Sequence, residues 1–224
     1  MDRGTALLDD PMADIFDEVE EDLRRARFEQ FWKKYWPVVV AVAAVIVVGV
    51  GGWRFYEWRQ DQQSAAAGGR FEAALRLSRT NGAEAEAQFA AIAADAPSGY
   101  RILARLRQAT EIGSRDKAAG AKAFDSVAAD PAVGALFQDI ARIRAGYLLV
   151  DSAPPAEIAS RVEQLTGAGL PFRHSARELM ALAAMRAGDK AGAEKWVQAI
   201  QADPETPQGL RGRAELIATV MAGK

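Results

Sequence analysis

The chain has 224 residues, with 28 Lys and Arg against 30 Asp and Glu, one His and no Cys. Half of it is hydrophobic and 26% charged, which excludes global disorder. The absence of Cys excludes a disulfide framework, a thiolate metal site and a Cys nucleophile, and a single His excludes a multi-histidine metal site. A net charge of −2 argues against a general nucleic-acid binder.

Residues 1–11 show no periodicity and read as irregular. Residues 13–34 read as an amphipathic helix, with Ile15, Val19 and Leu23 recurring at four and Phe16 beside them. Its acidic first half (Asp14, Asp17, Glu18) and basic second half (Arg24, Arg25, Arg27) follow the order that complements the helix dipole. Such a tail, residues 1–34, suits contact with anionic lipid or a basic cytoplasmic partner. Translation from Met12 instead of Met1 is equally compatible with this pattern.

Residues 35–53, YWPVVVAVAAVIVVGVGGW, contain no charge. As a helix they span about 28 Å, close to the roughly 30 Å hydrocarbon thickness of a bilayer. Eight Val and one Ile make a poor helix in water. In lipid the backbone must satisfy its own hydrogen bonds, so helix is favoured. Pro37 is placed near the helix start, where its missing N–H costs little. Four of the five Trp flank the span (Trp32, Trp36, Trp53, Trp58), as an aromatic belt requires. Arg24, Arg25, Arg27, Lys33 and Lys34 precede it, and only Arg54 and Arg59 follow closely. That bias places the N-terminus in the cytoplasm and the C-terminal part outside. The competing readings are a cleaved signal peptide, disfavoured by the length of the run and the charged segment before it, and a buried core helix. Gly49, Gly51 and Gly52 offer a place for another membrane helix to approach.

Helical character continues over 54–70 as a stalk, with a hinge expected at Gly68-Gly69. Residues 71–224 then read as all-α. Helical blocks fall at 71–80, 83–95, 99–112, 116–130, 133–150, 155–166, 173–187, 189–202 and 207–222, separated by Gly, Pro and Asp. The 47 Ala of the chain favour helix and close helix contact. The blocks pair into repeats. In the second helix of three pairs a large ring is followed by an apolar residue at three and a Pro at seven or eight: Phe89, Ile92, Pro97; Phe124, Val127, Pro131; Trp196, Ala199, Pro204. A degenerate unit fits around Val162 and Pro171. The period near 36 resembles the tetratricopeptide repeat over about 71–204, although the Trp-Leu-Gly-Tyr pattern of its first helix is largely absent. What that implies is an α-solenoid of helical hairpins sharing one continuous core. The helix 207–222 is expected to cap it through Leu210, Ala214, Ile217 and Met221.

Charge sorts by position. The first helices carry eleven Arg, among them Arg101, Arg105, Arg107, Arg142, Arg144, Arg173 and Arg177, against four acids (Glu72, Glu111, Asp139, Glu178). The second helices carry eleven acids against five bases. First helices line the inner face of tetratricopeptide stacks. Arg101, Arg105, Arg142, Arg144, Arg173 and Arg177 are therefore candidate partner-binding residues for an acidic extended segment, gripped by bidentate contacts. The plainer reading is a solvated face whose charges are offset by neighbouring helices.

The order of acidic tail, DLRRARFEQFWKKYWP, single anchor and loose tetratricopeptide-like domain resembles the bacterial inner-membrane family of ancillary subunits of the SecYEG translocon, from about Met12 to the end. The resemblance implies a chaperone-like, non-enzymatic periplasmic domain. It also implies the translocon, a membrane-tethered periplasmic chaperone and unfolded exported proteins as partners, with no cofactor, no metal and no nucleic acid. A tetratricopeptide scaffold for envelope or cell-division machinery is the alternative.

Little points to catalysis. Ser114 and Lys117 match a Ser-x-x-Lys pattern without its companion motifs. His174 and Glu178 share a helix face, but two ligands do not make a metal site, and they read as a surface pair.

Overall fold

The computed structural model describes residues 11–223 in backbone and residues 27–223 in side chains. The irregular structure expected of residues 1–11 thus falls almost wholly outside the described residues, as do the side chains of Ile15, Val19 and Leu23. The helices are α1 (Pro11–Leu77), α2 (Gly82–Asp95), α3 (Ser98–Arg115), α4 (Lys117–Ala128), α5 (Ala135–Leu149), α6 (Pro155–Val162), α7 (Arg173–Arg186), α8 (Lys190–Gln201) and α9 (Gln208–Ala222). Two short 3-10 turns follow α4 and α6, and no strand occurs among the described residues. The chain forms two units, Met1–Gln60 and Asp61–Lys224.

Among the described residues, the first unit consists of the N-terminal part of α1. An 18-residue window within Arg27–Leu77 has mean hydropathy 2.2, and none of it is buried. A soluble core helix would bury such a window, so the core-helix reading has no support here. The helix is long and apolar enough to serve as a single membrane anchor. Phe28, Trp32 and Trp36 stack in sequence along one side before the apolar run. Phe55 and Trp58 pair after it. Pro37 is interior to α1, not near a helix start as its sequence context suggested, because the helix begins at Pro11. Its missing N–H removes the bond that the Lys33 carbonyl would otherwise accept.

The second unit is a stack of helical hairpins. The end of α1 pairs with α2, then α3 with α4, α5 with α6 and α7 with α8, and α9 closes the stack against α7 and α8. First helices of successive hairpins also touch, α3 to α5 and α5 to α7. A buried trio at spacings of four and three recurs along the second helices: Ala85, Phe89, Ile92; Gly120, Phe124, Val127; Ile158, Val162 and, in the 3-10 turn after α6, Leu165; Ala193, Val197, Ile200; α4 buries Ala121 and Ala128 as well. The register corrects one expectation. Val197, 3% exposed, fills the position of Phe89 and Phe124, and Trp196 is only partly buried at the side of the cluster, under the Lys195 ammonium at 4.8 Å. The apolar follower is accordingly Ile200, not Ala199. Val162 holds its place in the degenerate unit. Phe71 from α1 meets Phe89 edge-on at 5.4 Å and Tyr100 at 5.9 Å. This joins the first hairpin to the second.

The starts of α2, α4 and α8 explain the turns, whereas α6 starts on Pro154 and Pro155 without a side-chain cap. Asn81 accepts from the Glu84 N–H at 3.2 Å and donates to the Glu84 carboxylate at 3.1 Å, a reciprocal cap. Asp116 accepts from Ala119 and Asp189 from Gly192 in the same way. The capping residue satisfies an N–H that has no partner inside the helix.

One glycine expectation needs revision. α1 runs unbroken through Gly68 and Gly69, where a hinge was expected. Packing of the second unit has already begun there, with Ala67 3% exposed. A Cβ on Gly68 would lie 2.8 Å from the Tyr100 hydroxyl, so this glycine admits a neighbour. The tightest approach is between α3 and α4, where a Cβ on Gly120 would sit 2.3 Å from the Gly113 Cα.

α9 places Ala214, Ile217 and Met221 in the last core cluster, three of the four expected capping residues, while Leu210 is only half-buried and lies outside it.

Candidate functional site

Chemistry-bearing side chains gather on the first helices. The six candidate arginines do not form one open row of free cations. Arg105 Nη1 donates to Asp130 at 2.5 Å. Arg142 Nη1 donates to Asp139 at 2.7 Å, and its second nitrogen reaches the Ala128 carbonyl at 3.4 Å. Arg173 is 8% exposed and grips Asp203 through Nε at 2.7 Å and Nη2 at 3.2 Å, with Glu205 alongside. Arg177, also buried, donates to Asp203 at 3.0 Å and to the carbonyls of Thr166 and Ala199. Arg101 is exposed, and its Nε donates to the Ala96 carbonyl at 3.3 Å. Arg144 is exposed and has no carboxylate partner among the described residues.

The paired arginines follow a rule. The Asp that ends a second helix, just before the Pro turn, is held by an Arg of the first helix in the same hairpin. Arg70 with Asp95, Arg105 with Asp130, and Arg177 with Asp203 are the three instances. Sequence sorting found the charge asymmetry. It could not assign it, because each pair closes over 25 or 26 residues. Hydrogen bonding to Arg105 first, and to the Ala132 N–H next, holds the Asp130 carboxyl below the usual carboxylate range. Asp203 is lowered much further, chiefly by its hydrogen bond to Arg173.

His174 and Glu178 are also not a surface pair. Both are buried, because α9 and the turn before it cover this part of α7. His174 Nδ1 lies 3.1 Å from the Thr206 hydroxyl, which itself donates to the Ile200 carbonyl. Burial, and then the charge of Arg173, lower the His174 pKa. Glu178, 3% exposed, accepts from the Tyr147 hydroxyl at 2.5 Å and from both Nε and Nη2 of Arg213. One carboxylate thus ties α5, α7 and α9 together. Ser114 lies in the last turn of α3 and donates to the Glu111 carbonyl at 2.7 Å. Its hydroxyl is thereby spent on the helix end. No group of three or more His, Asp and Glu could hold a metal among the described residues.

What remains open is a groove between α3 and α5. α3 presents Leu103, Leu106, Arg107 and Thr110 to it, and α5 presents Ile140, Ile143, Arg144 and Tyr147. The two stripes are equivalent, each residue of one lying 37 positions from its counterpart in the other. The spacing of three, four and seven puts each set on one helix face. Two adjoining cavities lie here, of about 360 and 580 Å³, and both have Thr110, Phe124 and Arg144 in their walls. Leu103 and Tyr147 are among the large apolar side chains that stay exposed in this unit. Such a groove, apolar with a few polar groups, has the make-up common to polypeptide-binding surfaces.

No curated protein and no solved structure matches the chain. A family model does match, over residues 29–208, from the segment before the apolar run to the start of α9. The chain belongs to the family of that model, the tetratricopeptide repeat-like domain.

Proposed function

We propose that this is a single-pass inner-membrane protein with its N-terminus in the cytoplasm, whose periplasmic hairpin stack binds other proteins without catalysing a reaction, as an accessory of the SecYEG translocon. The observation that carries the reading is the wholly unburied apolar window of α1, joined in one chain to a tetratricopeptide repeat-like domain. Domains of this kind serve protein–protein contact. The Lys and Arg bias around residues 35–53 supports the orientation, and the order of tail, anchor and repeats supports the translocon. In that setting the groove between α3 and α5 receives exported clients or a membrane-tethered periplasmic folding factor. Two experiments test this together. A periplasm-dependent reporter enzyme fused after Lys224 should be active. A photoreactive amino acid at Leu103 should crosslink to exported chains or to translocon subunits in cells. Reporter activity confined to the cytosol refutes the orientation, and crosslinks solely to cell-wall synthesis or division proteins refute the translocon role.

A further inference from the structure

Arg107 and Arg144 differ from the other arginines of α3 and α5, all of which are bonded within the chain, Arg101 to the Ala96 carbonyl. Arg105, Arg115 and Arg142, on the same two helices, each contact a carboxylate of the chain. Arg107 and Arg144 are exposed and have no such partner among the described residues, although both face the smaller cavity. They occupy equivalent positions on α3 and α5, one helix face apart from the clamping arginines. Leu103 and Leu106 on one side and Ile140 and Phe137 on the other make the rest of the wall apolar.

We infer that the groove between α3 and α5 selects an extended polypeptide segment in which a bulky apolar residue and an acidic one stand two positions apart, on one face of the segment, the apolar side chain entering the cavity and the carboxylate bridging Arg107 and Arg144. This rests on the protein-binding reading above and names the chemistry of the partner. The argument is complementarity. Two guanidinium groups without internal partners, at the lip of an apolar wall, are best completed by a carboxylate, which accepts parallel N–H bonds from each fork. The apolar wall adds attraction that a free anion could not use. A polypeptide suits the site better than a lipid chain, because two adjoining cavities follow one another along the helices, with Thr110, Phe124 and Arg144 in the walls of both. Alternate side chains of an extended segment point to one face and reach such pockets at intervals.

The test uses the full chain in detergent micelles and fluorescence anisotropy of three labelled peptides. The peptides carry Phe and, two positions on, Glu, Gln or Lys in a Gly-Ser background. The Glu peptide should bind most tightly, and added salt should weaken it. R107E/R144E should weaken it by about tenfold or more and turn preference to the Lys peptide. R107K/R144K, which keeps the charges and loses the forks, should fall between. Circular dichroism checks that each variant stays helical. Equal binding of the Glu and Gln peptides, with both lost on L103D, overturns the carboxylate inference and leaves the protein-binding reading standing. No binding of any peptide, together with no crosslinks from Leu103, overturns both. A change of mass in sedimentation on R107E/R144E, or displacement of the Glu peptide by laurate, also overturns it by assigning the groove to a second copy or to a lipid.

Discussion

Arg105 and Asp130 close the second hairpin with an ion pair of 2.5 Å, and Arg70 and Asp95 close the first over the same separation of 25 residues. The Asp is not placed at random. It lies fourteen residues after the capping Asn or Asp of the same second helix, at 81 and 95, 116 and 130, and 189 and 203. One residue starts the helix and the other fixes where its last turn meets the helix before it. The repeat is therefore defined by polar ends as much as by its apolar stripe.

These clamps make a prediction about pH. Asp130 and Asp203 have carboxyl groups lowered in the folded state, by Arg105 and Arg173 respectively. A lowered folded pKa stabilises the fold above the unfolded value of about 3.9, and that stability drains away as pH falls toward the folded value. The melting temperature of the full chain in detergent should be level from neutral pH to about pH 5, then fall. D203N should lower the neutral-pH melting temperature more than D130N, because Asp203 accepts from two buried arginines. D95N, whose pair is exposed, should change it least. D203N should also flatten the acid fall. An acid profile identical to wild type in D203N would contradict the assignment.

The second-helix register predicts an order among core substitutions. Phe89 and Phe124 are 0% and 2% exposed, so F89A and F124A should each cost about 3–5 kcal/mol. Val197 occupies the same slot, and V197D should abolish cooperative unfolding of the last hairpin, because it buries a charge without a partner. W196Q should cost only about 1 kcal/mol, since that ring lies beside the cluster and not within it. Thermal melting followed by circular dichroism distinguishes these cases. A W196Q variant less stable than F89A would restore Trp196 to the core slot.

Much of this fold was legible in the sequence. The helices α2 to α9 each fall within a few residues of their expected blocks, because Asn, Asp, Gly and Pro mark the ends and alanine-rich apolar periodicity fills the middles, whereas the block expected to start at residue 71 is the end of the continuous α1. Trp196 misled because ring size stood out more than register. Asp189, which caps α8, supplies the register, and counting eight residues from each capping residue reaches Phe89, Phe124 and Val197. His174 and Glu178 misled for a different reason. A spacing of four says that two residues share a face, but not whether another element covers that face. The arginine clamps were hidden because pairs 25 residues apart need the hairpin to be closed before they meet.

The glycines separate into opposite cases. At Gly120 an added Cβ meets Gly113 backbone atoms at 2.3 and 2.6 Å. Backbone cannot swing aside, so G120A must push α3 and α4 apart and should cost at least about 2 kcal/mol. Gly69 is helical and exposed, and a Cβ there meets nothing within 4 Å. G69A should stabilise by up to about 1 kcal/mol through helix propensity alone. Equal melting temperatures for the two variants would mean that α3 and α4 do not cross at backbone distance.

Tyr147 provides a test at the alkaline end. Its hydroxyl donates to Glu178 at 2.5 Å. Burial first, and then that hydrogen bond and the negative charge behind it, raise its pKa to about 12. In the unfolded chain a tyrosine ionises near pH 10. A raised folded pKa means that the contribution is whole below about pH 10 and is lost as pH climbs toward the folded value. Tyr147 should therefore ionise late in an ultraviolet titration, and Y147F should remove that late phase. Y147F should also cost about 1 kcal/mol at neutral pH, since Glu178 keeps both bonds from Arg213. E178Q weakens both the acceptor and the repelling charge, so it should move the late phase to lower pH and loosen α9 from α7, read as faster amide exchange along Gln208–Ala222. A late phase that survives Y147F would assign it to another tyrosine and detach Tyr147 from the link between α5, α7 and α9.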